Sequence, residues 1–211
     1  MTGRTHLILG ACAAVPVAML VGGHLALPLC VCAGAGGGLL PDIDHPRSDL
    51  GRLVPWPCVA VTNERAGFVV YGRRWFGGRV LWHRHETHSV GSAFIAAVST
   101  FWIIWAPWLT FLRWATAHGD PLPSRTPLWL VAGAMPGAVA LAILAGYLSH
   151  LAADLVNVSP QMLGWPFSRR MVRLPHWRGV PERSAAEGWA EAAAVLMALV
   201  GTALLWGPRP L

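Results

Sequence analysis

His83-Arg84-His85-Glu86-Thr87-His88-Ser89 runs directly into the apolar segment VGSAFIAAVSTFWIIWAPWLTFL, residues 90–112. A helix that crosses the hydrocarbon core of a bilayer needs about 20 mostly apolar residues, and this segment is long enough. Just before it, the chain places three imidazoles, a carboxylate and a guanidinium within seven residues. Such groups are costly to hold at a lipid boundary unless they bind something. The segment therefore predicts a membrane helix with a binding site at its N-terminal end.

The composition is that of an integral membrane protein. Of the 211 residues, 55% are hydrophobic and only 12% are charged, and the mean hydropathy is +0.48. These values are too apolar for an ordinary soluble domain. The net charge is +6, and all sixteen basic side chains are Arg. Because membrane proteins concentrate Arg where they meet anionic lipid headgroups, we expect membrane lipid as a partner and no nucleic acid.

Apolar runs divide the chain into about five predicted membrane helices. We expect one all-α helical bundle, a single membrane-embedded domain over residues 1–211, with two long loops, Pro41–Ser89 and Asp154–Gly188, on one face. The five predicted helices are Leu7–Val21, Leu25–Leu40, Val90–Leu112, Leu128–Leu148 and Trp189–Trp206. The glycines Gly34, Gly36, Gly37 and Gly38 in the second run should allow another helix to come close.

The distribution of arginines predicts the orientation. If the five helices alternate in direction, all but three of the sixteen arginines fall on one face, the exceptions being Arg113, Arg125 and Arg209. The positive-inside rule makes the Arg-rich face cytoplasmic. The ligand-type side chains of separate segments fall on this same face, so we expect a site that faces the cytoplasm. These side chains are His6, Asp42, Asp44, His83, His88, His150, Asp154 and Glu187.

Two pairs of these side chains have the spacing of metal ligands. His150 and Asp154 are four residues apart, so both project from one face of a helix and can share an ion. Taken alone, the same pair also fits a helix end at which Asp154 orients His150. Asp42 and Asp44, in a Pro-flanked turn, can both face a cation, or one of them can cap the turn.

The histidines of the stretch His83–Ser89 add imidazole groups to these carboxylates. The candidate ligands are therefore imidazoles and carboxylates, without thiolates. That set suits hydrolytic zinc, manganese or iron sites, with zinc the first choice, and one or two divalent ions can be accommodated. Arg84 can hold an anionic substrate group or anchor to lipid phosphate, and its neighbours favour the substrate role. Glu187 precedes the last helix, where it can be a ligand, a general base or a favourable charge near a helix N-terminus. Thr87 and Ser89 are candidate N-caps of the third helix.

The order of these motifs resembles one family, the YdjM-like LexA-binding, inner-membrane-associated metal-dependent hydrolases. The resemblance covers nearly the whole chain and is carried by Thr5-His6, Leu40-Pro41-Asp42-Ile43-Asp44-His45-Pro46, His83-Arg84-x-x-Thr87-His88-Ser89, Gly146-Tyr147-Leu148-x-His150-x-x-x-Asp154 and Trp165-Pro166-Phe167. It implies a multi-pass bacterial inner membrane protein with a His/Asp metal site assigned to hydrolysis. The chain departs from the pattern at His85, where Gly is usual, and at Asn157-x-x-Pro160, where Thr-x-x-Gly is usual.

Three functions compete at this point. The first is a metal-dependent hydrolase acting on a phosphoester or another anionic, lipid-like substrate, with ligands His6, Asp42, Asp44, His83, His88, His150 and Asp154 and assisting groups Arg84 and Glu187. The second is a metal or proton transporter or sensor, which requires ionisable groups near helix centres. The centres of the predicted helices nearly lack such groups, which favours the first function. The third is an interaction protein with a structural metal, which the LexA-binding label suggests.

Overall fold

Six α-helices carry most of the chain in this computed structural model, which describes residues 2–21, 26–53, 58–63, 68–74, 80–118, 128–156, 160–173 and 184–206. The helices are α1 (Gly3–Ala13), α2 (Val15–Val21), α3 (Ala26–Leu39), α4 (Val90–Ala117), α5 (Leu128–Leu155) and α6 (Ala185–Trp206). Short 3-10 helices occupy Leu40–Asp44, Gly51–Leu53 and Glu86–His88.

The predicted helical membrane bundle is confirmed. Within the described ranges, four helical segments are long and apolar enough to cross a membrane: Gly3–Val21, Ala26–Asp44, Val90–Ala117 and Gly133–Leu155. They correspond to the first four predicted spans. The fifth falls in α6, which is not among the four and carries Glu187 and Glu191 in its first two turns. Large apolar side chains such as Phe94, Trp102 and Ile103 project outwards from α4, as expected for a helix surrounded by lipid.

A small antiparallel sheet is an addition to the predicted architecture. It lies in the first long loop and consists of β1 (Cys58–Asn63), β2 (Phe68–Arg74) and β3 (Val80–Trp82) in the order β1-β2-β3. Cys58 pairs with Arg73, and Gly72 pairs with Trp82. Val, Thr, Tyr and Phe are frequent in these strands, and such β-branched and aromatic residues favour extended backbone.

Close contact between helix backbones holds α1, α3 and α5 together. A Cβ atom added to Gly146 of α5 would overlap the carbonyl oxygen of Gly34 in α3, and one added to Gly34 would overlap the carbonyl oxygen of Gly10 in α1. Small residues at such contacts let helices approach closely and gain dispersion energy, as expected from the glycines of the second run. The three helices therefore meet along a seam of glycines.

The glycine seam makes a prediction about stability. Gly146→Ala should lower the free energy of unfolding by about 1–3 kcal/mol, because the new methyl group forces α3 and α5 apart. Gly137→Ala is the matched control on α5, since a Cβ there meets nothing within 4 Å. It should leave stability unchanged or raise it slightly, because Ala has the higher helix propensity. Thermal unfolding of both variants in one detergent would test this, and equal melting temperatures would contradict it.

Candidate metal centre

All seven predicted metal ligands come together in one cluster, in which Asp42 and His83 are partly exposed and the other five are buried. His6 lies at the end of the first turn of α1, Asp42 and Asp44 in the 3-10 helix after α3, and His88 at the end of the 3-10 helix before α4. His83 follows β3, while His150 and Asp154 lie in the last turns of α5. The structure groups them in threes, with candidate ligand atoms within 4.8 Å of one another: His6, His150 and Asp154; Asp42, His88 and His150; Asp44, His83 and His88.

Two imidazoles connect the three groups. His150 belongs to the first and second groups and His88 to the second and third. Their Nε2 atoms are 3.3 Å apart. Oδ1 of Asp42 lies 3.4 Å from His88 Nε2 and 3.6 Å from His150 Nε2, and Oδ2 of Asp154 lies 3.6 Å from each. The groups are therefore one continuous arrangement and not three separate sites.

Hydrogen bonding sets the tautomer of His150. Its Nδ1 lies 2.7 Å from the carbonyl oxygen of Gly38, which can only accept a hydrogen bond, so Nδ1 carries the proton. Nε2, the ring nitrogen left for a metal ion, then faces the cluster. Metal-binding histidines are commonly oriented by such a contact. Burial lowers the pKa of His88, which favours the neutral imidazole that binds metals.

A chain of hydrogen bonds holds the third group against α5. Nδ1 of His83 lies 2.9 Å from Oδ1 of Asp44, and the hydroxyl of Thr87 donates to the other carboxylate oxygen. The hydroxyl of Tyr147, on α5, donates in turn to the backbone carbonyl of Thr87. The N-cap of α4 is Ser89, whose hydroxyl accepts from the backbone N–H of Ser92 at 3.1 Å. Through these contacts, Tyr147 on the membrane helix α5 holds the loop that carries Thr87, and Thr87 in turn orients the ligand Asp44.

Arg84 adopts an unusual backbone conformation beside the cluster. Its φ is 65°, in the left-handed region that side-chain-bearing residues seldom occupy. Its Nη2 atom is 3.4 Å from Oδ2 of Asp154, and its carbonyl oxygen accepts from the backbone N–H of Met162 at 3.1 Å. Strained conformations of this kind concentrate at functional sites. The guanidinium is therefore held against the ligands of the first group.

A polar cavity of about 510 Å³ opens onto the cluster. Three basic or imidazole side chains that the sequence analysis did not select, His45, Arg47 and Arg52, line it together with His6, Asp42, His83, Arg84 and Asp154. The sequence offered one indication that these three residues belong to the site, namely their position shortly after the Asp42-x-Asp44 pair. The cavity wall thus combines cationic side chains with the candidate metal ligands.

The predicted assisting group Glu187 lies outside the three groups. Glu187, in the first turn of α6, is buried and accepts hydrogen bonds from the backbone N–H of Thr2, at 2.6 Å, and from the hydroxyl of Thr5. Neither Glu187 nor His85 belongs to any of the groups found among the described residues. The sequence left three roles open for Glu187, and the structure places its carboxylate against the N-terminus of α1.

The donor set fits a divalent cation. Asp44 and Asp154 have 1% and 2% of their surface exposed, and a buried carboxylate is costly without a compensating charge. Each group offers carboxylate oxygens and imidazole nitrogens without thiolate, which are the ligands preferred by zinc, manganese and iron in hydrolytic sites. The residues in the cluster therefore have the chemistry needed to hold a metal ion.

Comparison with known proteins agrees with this architecture. Two curated relatives, each named inner membrane protein YdjM, come from Escherichia coli (strain K12) and Shigella flexneri. Each is 33% identical over 137 residues, which cover 65% of this chain and 48% of the relative. The chain thus spans about half the length of the curated relatives it matches. No solved structure matches it.

A family model described as YdjM inner membrane protein matches residues 1–209. That match covers almost the entire chain, and the four apolar helices agree with its membrane location. The chain therefore belongs to the YdjM family of bacterial inner membrane proteins and crosses the membrane several times.

Proposed function

We propose that this protein is a metal-dependent hydrolase of the inner membrane that acts on a phosphoester or another anionic, lipid-like substrate. The observation that supports this most directly is the sharing of His88 and His150 among three groups of ligand atoms beside an Arg-lined cavity. A cluster that served only to orient side chains would not need so many imidazole and carboxylate groups facing one another. Metal-dependent hydrolysis requires both features, ligands for an ion and a binding site for the substrate.

A bound zinc ion, or manganese or iron in its place, would supply a water molecule with a pKa near 7 and would polarise the scissile group. The three groups provide ligands for one or two such ions. His150 is pre-oriented by the Gly38 carbonyl, and His83 by Asp44. These contacts reduce the reorganisation that the protein needs when it binds metal.

The arginines of the cavity are the proposed binding site for the anionic part of the substrate. Arg84 lies closest to the ligands, with its guanidinium against Asp154. Arg47 and Arg52 line the same cavity farther along the loop after the 3-10 helix Leu40–Asp44. Guanidinium groups bind phosphate and carboxylate oxygens with paired hydrogen bonds, so they can orient the substrate for attack.

The proposed site faces the cytoplasm. The ligands lie at the N-terminal end of α1 and at the C-terminal end of α5. Most arginines of the sequence belong to the segments at these same ends, and the positive-inside rule assigns such ends to the cytoplasmic side. A lipid-like substrate would then reach the cavity from the inner leaflet.

Metal content gives the first test. Protein purified in detergent should contain about one or two equivalents of zinc, manganese or iron by mass spectrometry, and His88→Ala and His150→Ala should each lose most of it, because these rings serve two groups each. His118→Ala is the matched control, since His118 is an exposed residue at the end of α4. Native protein without metal after reconstitution would contradict the proposal and favour an interaction role.

Substrate turnover gives the second test. Arg84→Met should reduce kcat/KM for a soluble phosphomonoester by about 100-fold, because it removes a charged hydrogen-bond donor from the substrate site. Metal content should stay near the native value. Arg113→Met, which changes an exposed arginine of α4 at the opposite end, should retain native turnover. Equal activity of the two variants would rule out a role for Arg84 in binding the substrate.

A further inference from the structure

The three membrane-helix ligands of the first group are not held in the same way. Nδ1 of His150 is hydrogen-bonded to a carbonyl oxygen, whereas Nδ1 of His6 is buried and has no hydrogen-bond partner among the described residues. The His6 ring stacks on the His150 ring with centroids 3.7 Å apart, and its Nε2 lies 3.4 Å from Oδ1 of Asp154. Within the described ranges, no hydrogen bond at its second ring nitrogen orients His6. Its position therefore depends on where α1 itself is held.

One side of α1 is fixed by α3. A Cβ atom on Gly38 would overlap the carbonyl oxygen of His6, so the two backbones touch at the ligand itself. This contact sets the distance between the helices. It does not by itself fix the rotation of the first turn of α1 about the helix axis, on which the direction of the imidazole depends.

The other side of the first turn is attached to α6 through Thr5. The hydroxyl of Thr5 donates to the carboxylate of Glu187, and Oε1 of Glu191 lies 2.7 Å from the same hydroxyl oxygen. Glu187 also accepts from the backbone N–H of Thr2. Thr5 and Glu187 are 0% and 3% exposed. A buried carboxylate requires hydrogen bonds. Glu187 obtains them from Thr2 and Thr5, and it therefore constrains the start of α1 at two positions.

We propose that Glu187 is a positioning residue for the metal ligand His6 and acts through Thr5. In this role it is neither a general base nor a ligand. The inference rests on the proposed metal site, since it assigns how one ligand of that site is held. It also explains why a carboxylate on α6, outside all three ligand groups, is buried against the residue that precedes His6 in the chain.

The test compares conservative and non-conservative variants of the full chain. Thr5→Val and Glu187→Ala should each weaken zinc binding by about 10- to 100-fold, measured by competition with a chromogenic chelator. Thr5→Ser and Glu187→Gln should bind zinc nearly as the native protein does, because Ser keeps the hydroxyl and Gln keeps an oxygen that accepts both hydrogen bonds. Thr110→Val, on the exposed surface of α4, is the matched control.

A second measurement does not depend on metal. In metal-free protein labelled with 15N-histidine, the imidazole signal of His6, assigned by its loss in His6→Asn, should shift in Thr5→Val and Glu187→Ala. It should stay in place in Thr5→Ser and Glu187→Gln. This readout works whether or not the protein hydrolyses anything, so failure of the proposed enzyme activity is distinguishable from failure of this inference.

Two outcomes would overturn the positioning role. If Glu187→Gln weakened zinc binding as much as Glu187→Ala, the charge itself would be required, as for a ligand. If Thr5→Val changed neither zinc affinity nor the His6 signal, the contact between α1 and α6 would be unrelated to the site.

Discussion

Backbone contact among α1, α3 and α5 is the constraint on which the site depends. Gly10, Gly34 and Gly146 let the backbones of the three helices come into direct contact. His6 and His150 extend from two of these helices, and their rings stack because the helices are so close. Separating the helices by the thickness of one methyl group would pull the first group of ligands apart. Packing in the membrane and the geometry of the candidate centre therefore have the same origin.

The carboxylates of the polar cluster are surrounded by imidazole, hydroxyl and guanidinium groups. Asp44 is contacted by His83 and Thr87, and Asp154 by His6, His88, His150 and Arg84. In a low-dielectric environment such contacts are strong, and an unpaired member would be costly. A cation among these oxygens and nitrogens would offset the charge of the carboxylates. The same groups that make the cluster expensive to bury thus make it a good binding site.

The sequence was sufficient to predict the helical bundle and the residues of the cluster, because apolar length sets the spans and alternating topology puts the polar ends on one face. It was not sufficient to divide the ligands into groups. That division depends on how the loop carrying His83 and His88 packs against α5, which Tyr147 determines from a distant part of the chain. The sheet was missed because its strands are short and lie among Arg and Trp residues. The contact of Glu187 with Thr5 joins opposite ends of the sequence, and no local pattern reports it.

The sheet β1–β3 lies in the chain between two ligands, Asp44 and His83, which contact each other directly. The contact between Asp44 and His83 therefore holds the two ends of this segment together, whatever the length of the chain between them. The entropic cost of closing a loop rises only slowly with its length. Changes in the length of the connections between the strands should consequently have little effect on the contact between Asp44 and His83. The segment between these two ligands could therefore differ in length or shape while the contact between Asp44 and His83 is kept.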